Sequence, residues 1–254
     1  MPWLSIVTVV KDDIEGFQRS IDSLSQQSLA GVELVLVDSS ASALEIPAFL
    51  SDYLITDYQS EWVEPQGIYS AMNRGLELAR GDYIYYLNAG DSFFDQSVIG
   101  DLGALVAESS PAWIIGRVQI LEQTGASVTS AVWDYETEKK ALFARGLFPP
   151  HQGTVVKTEA LRSVGGFDER FAIAADYAAA LSLSQVHDPL ITERVIATFF
   201  EGGISTTNWQ DSFREFHFAR QEVFAPRGLA ALEERFRYWR HFLSVWLVRK
   251  VRRN

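Results

Sequence analysis

An α/β fold with a mostly parallel sheet and flanking helices is the architecture this sequence predicts, on three observations. Two short β-branched runs, Leu4–Val10 (LSIVTVV) and Glu33–Val37 (ELVLV), bracket one amphipathic helical stretch. Each run ends in a polar loop carrying an aspartate, Asp12 in the first and Asp38 in the second. A later apolar run, Tyr83–Leu87, ends in Asn88-Ala89-Gly90-Asp91, a small-residue turn with a carboxylate. Strand, helix, strand is the start of a βαβ unit, and ligands of open α/β sheets bind at the carboxyl ends of the strands.

Taken in order, Asp13 is placed to cap a helix over Ile14 to about Gln26, with Phe17, Ile21 and Leu24 on its inner face. After the second strand, Asp38 to Ser42 is a turn, and Leu54-Ile55 is a weak third strand; Glu61 to Gln66 is irregular. Gly67 opens a helix to about Ala79, with Ile68, Met72 and Leu76 on one face and Tyr69 and Asn73 on another. Past the Tyr83 strand, Asp95 or Ser97 caps a helix to about Glu108. Ala112–Leu121 and Ser127–Trp133 form a strand pair around Gln123-Thr124-Gly125, and Glu136 to Lys140 is charged and exposed. Pro149-Pro150 makes a rigid entry to His151, followed by strand over Thr154–Val156 and a short helix over Glu159–Val164, ended by Gly165-Gly166. Ile173–Leu183 is a small-residue helix with Asp176 near its start, and Val195–Phe200 is a last strand.

The 254 residues allow one large α/β domain with a small appendage, and 47% apolar residues suffice for a sizeable core. Without cysteine there is no disulfide framework, thiolate zinc site or cysteine nucleophile. The N-terminus lacks a basic leader, so no signal peptide is expected. No apolar stretch approaches the roughly 20 residues of a spanning helix. Charge is unevenly spread: seven of the 22 Lys and Arg, and none of the 33 Asp and Glu, fall in 235–254, so the remainder carries 15 against 33, a net of −18. An acidic body argues against nucleic acid as a partner.

On spacing alone, Asp91 is either a working carboxylate at the sheet rim or a cap of the next turn, and Gly90 lets the backbone approach a ligand closely. Asp38 and Ser39 are open to the same two readings, holding a nucleoside or only building the turn. His151 is either a ligand contact or a hydrogen-bonded packing residue. Arg74 is placed to meet a phosphate, although an exposed helix arginine is the reading the pattern favours. Asp168 is read as a structural cap or pair.

The order of pieces resembles a family 2 glycosyltransferase of the GT-A fold, a Rossmann-like nucleotide-binding domain, in the branch that makes bacterial surface polysaccharides. The matching residues are Thr8-Val9-Val10-Lys11-Asp12, Val37-Asp38-Ser39, GIYSAMNRG from Gly67, ARGDYIYYLNAGD from Ala79 to Asp91, Pro150-His151-Gln152, GGFDERFAIAADY from Gly165 to Tyr177, and Gly202-Gly203-Ile204-Ser205. The likeness covers roughly residues 1–205 as the catalytic domain and leaves 206–254 as a helical extension. It implies a nucleotide-diphospho-sugar donor (UDP-, GDP- or dTDP-linked), Mn²⁺ or Mg²⁺, a glycan or lipid-linked acceptor, and inversion at the anomeric carbon. By position, Asp12 and Asp38 match nucleoside-holding residues, Asp91 the metal carboxylate and Asp176 the general base. Val10, Ser39, Gly67, Asn73, Arg74, Asn88, Ala89, Gly90 and His151 fall in the motifs that hold the nucleotide sugar. Three departures stand out. Asn88 replaces the first acid of the acidic motif, a second Asp after Asp38 is missing, and Ala175 stands where many members have Glu.

The tail carries a separate signal. Phe236, Trp239, Leu243, Trp246 and Leu247 form one helical stripe, surrounded by Arg235, Arg237, Arg240, Arg249 and Lys250. Such a helix either lies in a membrane interface or packs on the catalytic domain or on a second subunit in a homodimer. The expected location is cytoplasmic, with peripheral contact to the inner membrane face through 235–254. A silent sugar-nucleotide-binding subunit is the alternative to an enzyme. A nucleotidyltransferase would want a glycine- and basic-rich first loop, which Lys11-Asp12-Asp13 is not.

Overall fold

The computed structural model describes all residues except Leu54, Gln123, 136–147, 201–207 and 253–254, and leaves out the side chains of Trp209, His241 and 244–252. The expected charged segment at Glu136–Lys140 and the Gly202–Ser205 motif therefore lie outside the described residues.

Four strands make the parallel half of the sheet: β1 (Leu4–Val10), β2 (Val32–Asp38), β3 (Tyr58–Trp62) and β4 (Tyr83–Tyr86). They run in the order β3-β2-β1-β4. The sheet continues with β8 (Thr154–Lys157), β6 (Trp113–Leu121), β9 (Leu190–Phe200) and β5 (Ser92–Phe93). β7 (Ser127–Thr129) lies on β6. β8 pairs antiparallel with both β4 and β6, while β6 and β9 are parallel. Helices α1 (Ile14–Ser25), α2 (Ile46–Leu50), α3 (Ile68–Leu78), α4 (Val98–Ser109), α5 (Thr158–Ser163), α6 (Ala175–Val186), α7 (Trp209–Phe224) and α8 (Leu229–Arg252) complete the described elements.

Strand residues alternate sides, and both sides are covered. Leu4, Ile6, Leu34 and Leu36 pack with Phe17, Ile21 and Leu102 on one face. Val7, Val9, Val35 and Val37 pack with Met72, Leu76, Tyr177 and Leu181 on the other. Two-sided burial is why β1 and β2 read as unbroken apolar runs. Asp13 caps α1 as expected, accepting from Gly16 N at 2.8 Å.

Some expectations are corrected. The third strand is Tyr58–Trp62, and Ile55 lies outside it, while Leu54 is not among the described residues; it is a half-exposed edge strand, so it lacks the apolar run that announces its neighbours. Ile68 does not join Met72 and Leu76 in the core but is 43% exposed; Ala71 and Gly75 complete that face instead. β7 stops at Thr129 rather than Trp133. β9 begins at Leu190, five residues before Val195, where it is paired with β6. Strand β5 and helix α2, two and five residues long, are too short to leave a periodic signal.

The C-terminal helices join the core rather than trail from it. Ala219 of α7 is fully buried, and Phe216, Val223 and Phe224 pack beside it. Arg220 Nε donates to Glu234 Oε1 of α8 at 2.6 Å, and Nη1 reaches Tyr177 OH of α6 at 3.3 Å.

Candidate active site

The loops after β1, β2 and β4 meet at one sheet edge. Asp12 N donates to Ser40 Oγ and Ala41 N to Asp12 Oδ1, both at 2.9 Å, which stitches the first two loops together. Past β4 the chain keeps pairing with β1, Leu87 N to Val7 O at 2.9 Å and Ala89 N to Val9 O at 3.2 Å. This carries Asn88 and Ala89 alongside Val10. Gly90 then turns at φ 98°, the region that glycine enters without steric cost. Ser20 Oγ of α1 accepts the Gly90 amide at 3.1 Å and lies 2.7 Å from Asp91 O, so the turn is tied to the helix behind it.

A cleft of about 550 Å³ opens at this edge, and Val10, Ser39, Gly67, Asn88 and Ala89 are among its lining residues. Against it lies a polar cluster that shares Asn88. Asn88 Nδ2 is 3.2 Å from His151 Nε2. His151 Nδ1 lies 3.6 Å from Asp176 Oδ2, an electrostatic approach rather than a hydrogen bond. Tyr69 OH is 3.1 Å from Asp176 Oδ1 and donates to Ile173 O at 2.6 Å. Asp176 itself is the second residue of α6, and Tyr177 N donates to its Oδ1 at 2.8 Å. Four elements distant in sequence thus deliver Asp91, His151, Asp176 and Tyr69 to one place.

Electrostatics follow from burial. Asp91 is 8% exposed. Burial pushes its carboxyl up to about 6, against the opposing pull of His151 and a hydrogen bond from Gln152. Burial by itself would lower the His151 imidazole, but Asp176 and Asp91 outweigh it and raise it above its ordinary value. Burial and the nearby Asp176 hold the Tyr69 hydroxyl far above its usual range, so it stays a donor.

Other expected residues sit differently. The Asp38 carboxylate is turned into its own loop, where it accepts from Ser40 N at 2.8 Å and Leu44 N at 2.7 Å. Asn73 clamps the segment before α6, donating to Phe167 O at 2.7 Å and accepting from Phe167 N at 2.9 Å. Arg74 pairs with Glu61 at 2.7 Å and Glu77 at 2.6 Å, the surface role its pattern favoured. Asp168 pairs with Arg170 at 2.7 Å, as read. Asp12, Asp38, Asn73, Arg74 and Gly90 are not among the residues that line the cleft, and Asp91, His151 and Asp176 adjoin it through Asn88 and Tyr69 rather than lining it. Tyr69 and Gln152 were not singled out. Tyr69 was legible only as a polar face of α3, and Gln152 only as part of the Pro-His-Gln motif.

A divalent ion was expected at Asp91. Among the described residues no cluster of three or more His, Asp or Glu forms a metal site. The oxygen donors of the Asn88–Asp91 turn nevertheless suit one. Asn88 Oδ1 is buried with no hydrogen-bond partner, and Asp91 is a buried carboxylate. Mg²⁺-type ions use one or two such side chains and take their remaining ligands from water and substrate phosphates.

A sheet of this topology, with a carboxylate turn after β4 and a second carboxylate opening α6, defines a glycosyltransferase of the GT-A fold. More particularly, the chain belongs to glycosyl transferase family 2, whose sequence pattern matches residues 5–165. It is 27% identical over 217 residues to a PGL/p-HBAD biosynthesis glycosyltransferase of Mycobacterium bovis (strain BCG), covering 81% of this chain and 80% of that protein. An uncharacterized glycosyltransferase of Mycobacterium tuberculosis (strain H37Rv) is 26% identical over 213 residues, with 81% and 78% covered. Among solved structures, S. aureus TarS 1–349 in complex with UDP-GlcNAc superposes with a TM-score of 0.68 at 14% identity, over 87% of this chain and 67% of that one. The chain spans 40% of the longer TarS structure. The mannosyltransferase PcManGT from Pyrobaculum calidifontis, in complex with GDP-Man and Mn²⁺, gives 0.62 at 14% identity, over 89% and 65%.

Proposed function

We propose that this enzyme moves a sugar from a nucleotide-diphospho-sugar to a hydroxyl of a glycan or lipid-linked acceptor in polysaccharide synthesis, inverting the anomeric centre, with Asp176 as general base. The observation that carries this reading is the placement of Asp176 and Asp91 around one imidazole, His151, beside a cleft lined by Asn88 and Ala89. The nucleotide fits the cleft between the β1, β2 and β4 loops, where Val10, Ser39 and Gly67 supply backbone and small side chains. Asp12 and Asp38 act one layer back, by shaping the β1 and β2 loops, Asn73 by holding the segment before α6, and Arg74 keeps only its surface pairs. Asp91 and Asn88 would hold a Mn²⁺ or Mg²⁺, which when bound offsets the charge developing on the diphosphate. The acceptor oxygen attacks the anomeric carbon opposite the diphosphate. The bond from that carbon to the diphosphate oxygen breaks, its electron pair leaves with the nucleoside diphosphate, and the hydroxyl proton passes to Asp176. Tyr177 N donates to Asp176 Oδ1, with Tyr69 OH 3.1 Å from the same oxygen, which leaves Oδ2 as the oxygen for the acceptor. A base placed within hydrogen-bond reach contributes typically ~10²–10⁴-fold.

Incubation with UDP-, GDP- and dTDP-sugars plus Mn²⁺ tests this reading. Turnover or slow donor hydrolysis is expected with one class. Asp176→Asn should lower the rate at least ~10²-fold while donor affinity is kept. An Asp176→Asn variant with wild-type rate would exclude the assignment.

Residues 206–254 are read as a helical extension that also touches a membrane surface. No described helix is long and apolar enough to cross a membrane. On α8, however, Leu229, Leu232, Phe236, Trp239 and Leu243 are 79, 62, 70, 53 and 50% exposed. They lie on the side opposite Glu234 and Tyr238, which face α7 through Arg220 and His217. An apolar stripe with exposed Arg235 and Arg240 beside it suits an anionic interface.

A further inference from the structure

We propose that Glu215, on α7, is a positioning residue for the reaction, fixing the backbone from which Asp176 projects; this rests on the reading of Asp176 as the base. Three consecutive amides donate to its carboxylate: Ala172 N to Oε1 at 3.0 Å, and Ile173 N and Ala174 N to Oε2 at 2.8 Å each. They belong to the turn that enters α6. They are the amides of the cap residue, Ala174, and of the two residues before it, which no turn of the helix reaches. Ala174 makes no side-chain cap bond, and the third helical amide, Tyr177 N, goes to Asp176 Oδ1. The acceptor for residues 172–174 comes from a helix about 40 residues further along, beyond the segment matched by the family. Its negative charge at a helix N-terminus is favourable, and hydrogen bonds to an ionised acceptor are roughly twice as strong as neutral ones.

The held segment is not remote from the chemistry. Ala172 lines the cleft. Ile173 O accepts from Tyr69 OH, and that hydroxyl is also 3.1 Å from Asp176 Oδ1. Glu215 therefore anchors the amide side of residues 172–174 while Tyr69 anchors the carbonyl side, and Asp176 hangs between the two anchors. Docking of α7 does not depend on Glu215. Phe216 packs on Tyr177 with ring centroids 4.9 Å apart, and Arg220 bonds its hydroxyl. Removing the carboxylate should loosen one turn and leave the helix in place.

The test uses the full chain with the nucleotide sugar that supports turnover, comparing Glu215→Gln, Glu215→Ala and Glu215→Asp. Gln presents an NH₂ group to three N–H donors, whereas Asp keeps the charge on a shorter stem. The expected result is a kcat lowered about tenfold to a hundredfold in Gln and Ala, donor KM within about twofold, and partial recovery in Asp. In an Asp176→Asn background, Glu215→Gln should cause no further loss. Amide hydrogen exchange needs no substrate: in Glu215→Gln, Ala172–Ala174 should exchange about tenfold faster while β1 and β2 amides are unchanged. Unchanged exchange at 172–174, or an unchanged kcat, overturns the proposal. So does a parallel fall of kcat, donor affinity and exchange protection throughout the molecule. Full activity in Asp176→Asn alone would instead defeat the base assignment, and the exchange result would still judge the anchoring.

Discussion

Asp91 carries opposite demands at one side chain. Its folded carboxyl sits at about 6 against an ordinary 3.8, so the folded chain without a bound ion holds the proton more tightly than the unfolded chain does. Stability should therefore fall as pH rises from about 4 to about 6, by at most about 3 kcal/mol for a shift of this size. Asp91→Asn should abolish that slope and raise the melting temperature at pH 7 when no divalent ion is present. The same variant should weaken Mn²⁺-dependent donor binding in a thermal-shift titration. A variant that melts lower than wild type at pH 7 without metal would contradict this account. Single residues are unevenly legible in the sequence. Asp91, Asp176 and His151 were named from their motifs. The turning of Asp38 into its own loop was not legible, because a carboxylate two residues before a free amide satisfies a turn as readily as a ligand.

Among the elements, α3 and β1 show how closely the site is built. A Cβ added at Gly75 would stand 2.3 Å from Val7 Cγ1. Helix propensity favours Ala over Gly by about 1 kcal/mol, but overpacking of this kind costs typically 1–3 kcal/mol. Gly75→Ala should be net destabilising by up to about 2 kcal/mol, lowering the melting temperature by a few degrees in a chain of this size. It should also displace Tyr69, one turn and a half earlier on the same helix, and so reduce the rate. A stabilised Gly75→Ala would show that the helix can shift freely on the sheet. Helices α1 and α3 are legible from the spacing of their apolar residues, strands β1, β2 and β4 from short apolar runs, and α6 from its small residues, because all of them bury apolar surface. Strand β3 escapes the sequence pattern because Tyr-Gln-Ser-Glu-Trp has three polar residues in succession and no apolar run, as a half-exposed edge allows.

For the whole molecule, the open question of the tail narrows to its exposed face. In one chain Leu229, Leu232, Phe236, Trp239 and Leu243 of that stripe stay half or more exposed. Vesicles of anionic lipid should retain the protein, since each basic residue near such a surface adds roughly 1 kcal/mol. Deleting residues 235–254, or the triple change Phe236→Ser, Trp239→Ser, Leu243→Ser, should release it while donor hydrolysis continues. Unchanged sedimentation with vesicles would remove the membrane reading, and a concentration-dependent dimer lost in the same triple variant would assign the stripe to a second subunit instead.

Sequence alone determined the α/β class, the family, and the identity of the carboxylates at the strand ends. Those features rest on short-range regularities: buried strands must be apolar, and the tight turns at their carboxyl ends take small and polar residues. What only tertiary structure decided is which groups touch. His151 meets Asp176 across 25 positions, and Glu215 meets Ala172 across 43. Pairings over such distances depend on how helices settle against a sheet, and no local pattern encodes that.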